Sequence, residues 1–464
     1  MTDKRKETKR HSLRNGFLLA ILSALFLTFG YLYWEVRDHG SGLVGEITDL
    51  LPVPTWAQDG SSVLTILTNT LLRADGRERT YLILFQNNLE LRPTGGFIGS
   101  FGILKVKDRH MTGLTTFDTG TFDTRIPDTV VPPEPIADAL HEPSWKLRDS
   151  NWEPDFPIVA GQAVRFYEMG GGQERFDGVI GITADVLSSF LTVTGPVEVP
   201  GFPGSYGSDD AVLDLERQVE QGYIDQNIDF SERKSVLGLL ARQIINKVKS
   251  LPPQELPHLF RVVVDDLDRK DIQLSFSHDS LRHAVRDAGW DGAFDTSWSG
   301  DFVEAVDANL GAWKTDSVMK RSMDYEVDLS RDRPRARLAI RYENTATEKT
   351  FMVRDYRTFL RVYVPGGTDF RSISGNASDP MYGTFMGRKY AGLFVEVPLG
   401  TSKDVVFEYD LPQRIADCPY TLKIARQAGT GDIPVAITIT GKDGSSRNEH
   451  ALLNRDFTLG HSPE

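Results

Sequence analysis

The sequence predicts an α/β domain layered around a mixed sheet, then an all-β sandwich, with one transmembrane helix at the N-terminus. Three observations predict this. An uncharged run fills residues 16–34, apolar strand-like runs alternate with helical patterns between about 80 and 320, and short alternating strands without helical patterns follow. With 464 residues, 40% of them hydrophobic, the chain can bury two or three cores.

The first fifteen residues hold six Lys/Arg against Asp3 and Glu7. Gly16 to Trp34 (GFLLAILSALFLTFGYLYW) contains no charge. At about 1.5 Å per residue, such a run crosses a hydrocarbon core of roughly 30 Å. It lacks the polar stripe of a buried helix and the small-residue exit of a cleaved signal peptide. Tyr31, Tyr33 and Trp34 at its end fit an interfacial aromatic belt. The basic flank before it and Glu35 and Asp38 after it place the N-terminus in the cytoplasm and the bulk outside the cell membrane. The expected organisation is a cytoplasmic tail at 1–15, the membrane helix at 16–34, a stalk and helix at 35–78, the α/β domain at 79–320, the sandwich at 321–445 and a tail at 446–464.

Beyond residue 34 the chain carries 46 Lys/Arg against 63 Asp/Glu, a net charge of −17. That excludes a general nucleic-acid binder, which needs a basic face. Cys418 is the only cysteine, so neither an intrachain disulfide nor a cysteine zinc site can form. An exported chain with large cores and no disulfides fits a bacterial envelope.

A helix around Val63–Arg73 precedes TYLILF (80–85), an apolar run suited to a strand buried on both faces. FIGSFGILKV (97–106) and MTGLTTFD (111–118) form a hairpin. Residues 127–143 are a Pro-rich loop, after which Asp155 caps a helix running to Met169. FDGVIGI (176–182) is a strand, and Thr183 is placed to cap the helix after it. Helices follow at 209–222 and 231–249, the latter capped by Ser231. A strand at 271–275, a helix at 279–288 and a strand near 302–307 complete the alternation. From Lys320 onward YEVDL, RARLAIRYEN, YRTFLRVYVP, FRSISG, GLFVEVPL, KDVVFEYDLP, YTLKIARQ and VAITITG read as antiparallel sandwich strands.

Walker A, HExxH and GxGxxG signatures are missing, and the nine histidines are scattered. The densest polar segment is NNLELRPTGGFIG (87–99), just after a buried strand, where α/β sheets place ligand sites. Asn87, Asn88, Glu90, Arg92 and Thr94 share one turn, and Gly95-Gly96 permits close backbone approach. Two readings fit. Arg92 holds a phosphate or carboxylate bidentately with Glu90 as a base, or an Asn/Glu/Arg network fixes the loop between two core strands. Residues 148–155 offer Arg148 for a phosphate, Asn151 as a further ligand contact, and Asp149 and Asp155 for Mg2+. Equally, Asp155 is only a helix cap and Arg148–Asp149 a solvated pair. In AVDANLGAWKTD (305–316), Asn309, Lys314 and Asp316 form either a lip of the same site or a hinge into the sandwich. Segments 87–94 and 146–155 are expected to meet.

FQNNLELRPTGGFIGSFG, LRDSNWEPDFP, FDGVIGITADVLSSFLTVTGPVEV and VDANLGAWKTD, in that order over about 80–320, resemble the bacterial membrane-anchored family catalogued as domain of unknown function 4012. A second resemblance, carried by the strand–polar loop–hairpin order and by DGVIGI–helix–GPVEV, is to the LytR-CpsA-Psr proteins. It implies a membrane-anchored α/β domain that transfers polyprenyl-pyrophosphate-linked glycopolymers to the cell wall, using arginines for pyrophosphate and aspartates for magnesium. Of those residues only Arg92 carries over, with Arg148 offering a substitute cation. The expected function is therefore binding of a phosphorylated polyprenyl-linked glycan precursor, with its transfer as a further step. The rival is a non-catalytic envelope scaffold or adhesion protein acting through its β-sandwich.

Overall fold

A computed structural model describes residues 74–460 apart from 109, 227, 229–234 and 417–418. The predicted membrane helix, the helix around Val63–Arg73, the Ser231 cap and Cys418 lie outside the described residues. Among the described residues no helix is long and apolar enough to cross a membrane.

The chain divides into two compact units whose segments interleave. The first comprises residues up to Gln86, Ile98–Ile126 and Ala160–Gly292; the second comprises Asn87–Phe97, Pro127–Val159 and everything from Ala293 on.

The first unit is built on a five-stranded mixed sheet ordered β3-β2-β1-β4-β7. Its strands are β1 (Glu78–Asn87), β2 (Phe97–Lys107), β3 (His110–Asp118), β4 (Gly178–Thr183) and β7 (Ile272–Phe276), while β5 (Val197–Glu198) and β6 (Ser205–Tyr206) pair separately. β1 and β4 run parallel; β4 and β7 run antiparallel, as do β2 and β3. The continuous apolar runs of β1 and β4 arise because helices cover both faces. Ile83, Leu104, Ile182 and Leu274 point into one cluster with helices α2 (Asp185–Thr194), α3 (Ala211–Arg217), α4 (Ser235–Lys249), α5 (Leu256–Asp268) and α6 (Asp279–Asp287). On the other face Phe101 meets Tyr167 of α1 (Phe156–Met169) edge-on at 6.0 Å.

Local details depart from the sequence reading. Thr183 ends β4 as a buried residue and does not cap α2, whose cap position is Ala184 with no side-chain bond. Helix α5 was not foreseen. Pro252, Pro253 and Pro257 suggest a break, yet Pro257 falls in the first turn, where a missing N–H costs nothing. The helix expected at 209–222 runs continuously over 211–225, with a π turn at Gln218–Gly222 that sequence reading does not mark.

One buried carboxyl in this unit titrates abnormally. Asp266 is 2% exposed and accepts a hydrogen bond from Ser189 Oγ at 2.7 Å. Burial pushes its carboxyl well above the ordinary 3.8, and neighbouring Asp271 adds to the rise. The folded carboxyl thus keeps a proton that the unfolded chain has already lost. Stability therefore falls as pH rises from about 3.8 toward the folded value. Asp266→Asn, which cannot ionise, is expected to flatten this slope and to exceed wild type at pH 8. Urea midpoints measured between pH 4 and pH 8 check it.

The second unit is β-rich. Its strands are β8 (Asp301–Asn309), β9 (Met319–Asp328), β10 (Arg335–Asn344), β11 (Tyr356–Val364), β12 (Asp369–Ser374), β13 (Met381–Phe385), β14 (Arg388–Val397), β15 (Ser402–Asp410), β16 (Leu422–Ala425), β17 (Ile433–Thr440), β18 (Ser446–Leu453) and β19 (Phe457–Leu459). They form two six-stranded sheets, β12-β15-β10-β9-β17-β18 and β13-β14-β11-β8-β16-β19. Tyr325, Leu338 and Phe407 from one sheet and Leu360, Leu393 and Ile424 from the other share a single buried cluster. The pairing is not purely antiparallel: β8 runs parallel to β16, and β9 to β17. β8, expected to close the α/β alternation, belongs to this unit, and β18 and β19 occupy the segment expected as a tail.

The outer face of β8 and β11 is covered by the 127–159 segment. Ile136 of the short helix Glu134–Leu140 and Trp152 pack on Ala308, Leu310 and Phe359. Trp152 stacks on Phe359 at 5.7 Å, and the Arg361 guanidinium lies 4.3 Å from the Trp152 ring centre. Apolar area removed from water, together with this cation–π contact, explains why a Pro-rich loop is held on a sheet.

Candidate functional site

The second unit brings together all three polar segments singled out in the sequence. Loop 87–97 is first shaped by itself: Asn87 Oδ1 accepts from Leu89 N at 3.1 Å, and Glu90 O accepts from Phe97 N at 2.9 Å. Gly95 adopts φ +136°, and a side chain on Gly96 would overlap the Asn87 backbone. The loop is then stitched to β8 and its surroundings. Leu91 N donates to Asp316 Oδ2 and Asn309 N to Leu91 O, both at 2.9 Å. Thr94 bridges Ala428, and Asn88 Nδ2 donates to Gly429 O at 3.3 Å.

Arg92 stands at the centre and is 2% exposed. Its guanidinium donates to Glu90 Oε1 at 3.0 Å, to Asp149 Oδ1 at 3.4 Å, and to the carbonyls of Leu91 and Asn309. Segments 87–94 and 146–155 therefore meet through this residue. Burial pushes the Glu90 carboxyl up, with the Arg92 charge opposing. Asn151 Nδ2 reaches Gly96 O at 2.7 Å, and Trp145 Nε1 donates to Asp149 O at 2.8 Å.

Arg148 is partly exposed. It pairs with Glu142 at 3.0 Å and approaches Asp149 Oδ2 at 3.7 Å. Asp155 uses both oxygens on backbone donors: Ile158 N at 2.9 Å, which caps α1, and Phe294 N at 3.0 Å. Both Asp155 oxygens and Asp149 Oδ1 are thus turned to N–H donors, and Asp149 Oδ2 faces the Arg148 cation, an arrangement that does not fit a magnesium site. Among the described residues no cluster of three or more His, Cys, Asp or Glu is poised around a metal position.

The same network runs through the 305–316 segment and on to residues that no sequence motif marks. Asn309 Nδ2 donates to Asp316 Oδ2 at 2.7 Å. Arg321 joins Asp316 Oδ1 at 2.6 Å and Asp307 Oδ2 at 3.0 Å. Tyr342 and Thr358 hydroxyls donate to Asp307 Oδ1, each at 3.0 Å, and the Tyr356 hydroxyl to Asp316 Oδ1 at 3.0 Å. Gln427 Nε2 reaches the carbonyls of Arg92 at 3.1 Å and Asp307 at 2.7 Å. Asp307 is legible only as one of two charges, with Glu304, in the strand VEAVDAN. Arg321, Tyr342, Tyr356 and Gln427 left no local signal. The buried group sets two guanidiniums, Arg92 and Arg321, against four carboxylates: Glu90, Asp149, Asp307 and Asp316.

Residues 76–219 match a family model described as "Protein of unknown function (DUF4012)". That range includes loop 87–97 and the 146–155 segment. No curated protein matches the chain. Among solved structures, Lin1025 protein from Listeria innocua is similar at 14% identity and a TM-score of 0.27, over 47% of this chain and 80% of that one. The Legionella pneumophila protein lpg2210 is similar at 6% identity and a TM-score of 0.19, over 30% and 54%. Likenesses at this level carry no argument about fold or function.

Proposed function

We propose that the chain is a membrane-anchored envelope component that works by presenting its β-rich unit to other molecules. In this reading the Glu90–Arg92–Asp149 group is a structural clasp with no covalent chemistry of its own. The burial of Arg92 and the engagement of both its terminal nitrogens by carboxylates and carbonyls carry the proposal. A phosphate would have to displace two carboxylates and two carbonyls from this guanidinium, and it would enter a region where buried carboxylates outnumber arginines. Pyrophosphate chemistry needs preorganised positive charge in excess at the reacting group. The anchor rests on the uncharged Gly16–Trp34 run with its basic flank, and so does the extracytoplasmic placement.

The test is titration of the full chain, in detergent micelles, with polyprenyl phosphate and polyprenyl pyrophosphate, with and without Mg2+. The expected result is no saturable binding to folded protein. Saturable, magnesium-dependent binding would overturn the proposal in favour of a glycan-precursor site.

A further inference from the structure

Among the described residues two aromatic side chains are exposed, Trp313 at 39% and Tyr382 at 57%. Tyr382 rests against Phe370 at 5.6 Å. Trp313 has a different companion: the Arg354 guanidinium lies over its ring, 4.4 Å from the centre. The residue before it, Ala312, sits at φ +56°, a left-handed conformation that a non-glycine residue keeps only where its surroundings enforce it.

Here the second unit enforces it. Asn309 grips the turn with both ends of its amide: Oδ1 accepts from Gly311 N at 3.1 Å, and Nδ2 donates to Trp313 O at 2.8 Å. Gly311 N also donates to Arg357 O and Lys314 N to Met352 O, each at 2.9 Å. The carbonyl of the same Asn309 accepts from Arg92. The buried clasp is thus the footing of a turn that holds an indole in solvent, as a rigid shell supports a binding group.

Arg354 is fixed through its own backbone, its N–H donating to Thr315 Oγ1 at 3.2 Å and its carbonyl accepting from Asn344 Nδ2 at 3.3 Å. One end of its guanidinium donates to Val353 O at 3.1 Å. Among the described residues no carboxylate pairs with it, in a chain with 65 Asp/Glu against 52 Lys/Arg. Adjacent Asp355 is turned elsewhere, accepting from Leu399 N at 3.1 Å and lying 3.6 Å from Lys349 Nζ.

We infer that Trp313 and Arg354 form a binding platform for an acidic saccharide, with the indole stacked on a sugar ring and the guanidinium holding the sugar's carboxylate. This rests on the reading that the β-rich unit is presented to other molecules, and it names the ligand class. An indole offers a flat apolar face to the C–H groups of a pyranose. A planar guanidinium matches a carboxylate with two parallel N–H donors. A protein partner would call for an apolar core around the tryptophan. The segments that build the turn, 309–316 and 350–357, contain no other exposed large hydrophobic residue.

The test is calorimetric titration of the full chain in detergent micelles with tetragalacturonate, and with maltotetraose as the uncharged comparison. Saturable binding of tetragalacturonate, with much weaker binding of maltotetraose, is expected. Trp313→Ala and Arg354→Ala should each weaken it by at least about tenfold, and Arg354→Lys should recover only part of the loss. Binding should also shift the tryptophan emission of wild type and leave that of Trp313→Phe unchanged, a readout that needs no alanine variant to fold. Absence of saturable tetragalacturonate binding overturns the inference, and so does equal binding of maltotetraose. Binding that these variants leave intact overturns the site while the presentation of the β-rich unit stands. That broader reading falls by its own test, the polyprenyl titration.

Discussion

Arg92→Ala is expected to destabilise the second unit by about 3–5 kcal/mol, the usual cost of leaving buried charges without their partner. The substitution strands the buried Glu90, leaves the buried Asp149 to the partly exposed Arg148 at 3.7 Å, and removes a donor from the Asn309 carbonyl. The cost should come from uncompensated charge, not from lost volume. Combining Arg92→Met with Glu90→Gln and Asp149→Asn should therefore recover most of it, to within about 1 kcal/mol of wild type. Urea unfolding followed by tryptophan fluorescence measures both, because Trp145 and Trp152 sit in the same segment. A mild Arg92→Ala phenotype would show that the guanidinium is not holding the loop.

Arg321→Ala should cost at least as much, again roughly 3–5 kcal/mol, with stacking lost in addition. Arg321 bridges Asp307 and Asp316, and its guanidinium lies 5.6 Å and 5.5 Å from the Tyr342 and Tyr356 ring centres. Burial holds both tyrosine hydroxyls well above their ordinary range, so they remain donors to the two carboxylates and cannot replace the lost cation. Differential unfolding of Arg321→Ala and Arg321→Lys separates the charge from the fork. Lysine is expected to recover only part of the loss, since one ammonium cannot reproduce two directed contacts.

Much of the fold was legible because local patterns matched burial. The apolar runs of β1 and β4 identified strands covered on both faces, and period-two alternation marked most strands of the second unit. Asp155 was read correctly as a helix cap from its place before Phe156. What failed were features decided at long range. β8 looks like one more α/β strand until its pairing with β11 and β16 is known. β13 and β18 carry too much exposed or polar surface to alternate cleanly, and the prolines ahead of α5 mimic a break. The sequence marks the polar loop by its density of side-chain donors and acceptors, and Gly96 lies against the Asn87 backbone as its glycine pair suggests. Sequence alone could not choose between a ligand site and an internal network, because the partners of Arg92 include carbonyls of Asn309 and Leu91. A carbonyl carries no residue identity.

The central claim is that Arg92 is sealed and internally paired in the native protein. Dicarbonyl modification of arginines in the full chain, read by mass spectrometry, tests it without any substitution. Arg447, whose side chain is 62% exposed, should react rapidly in the native state. Arg92 should stay unmodified until the protein is unfolded, with or without added pyrophosphate. Native-state modification of Arg92 at a rate near that of Arg447, suppressed by pyrophosphate, would contradict the account and restore Arg92 as a phosphate ligand.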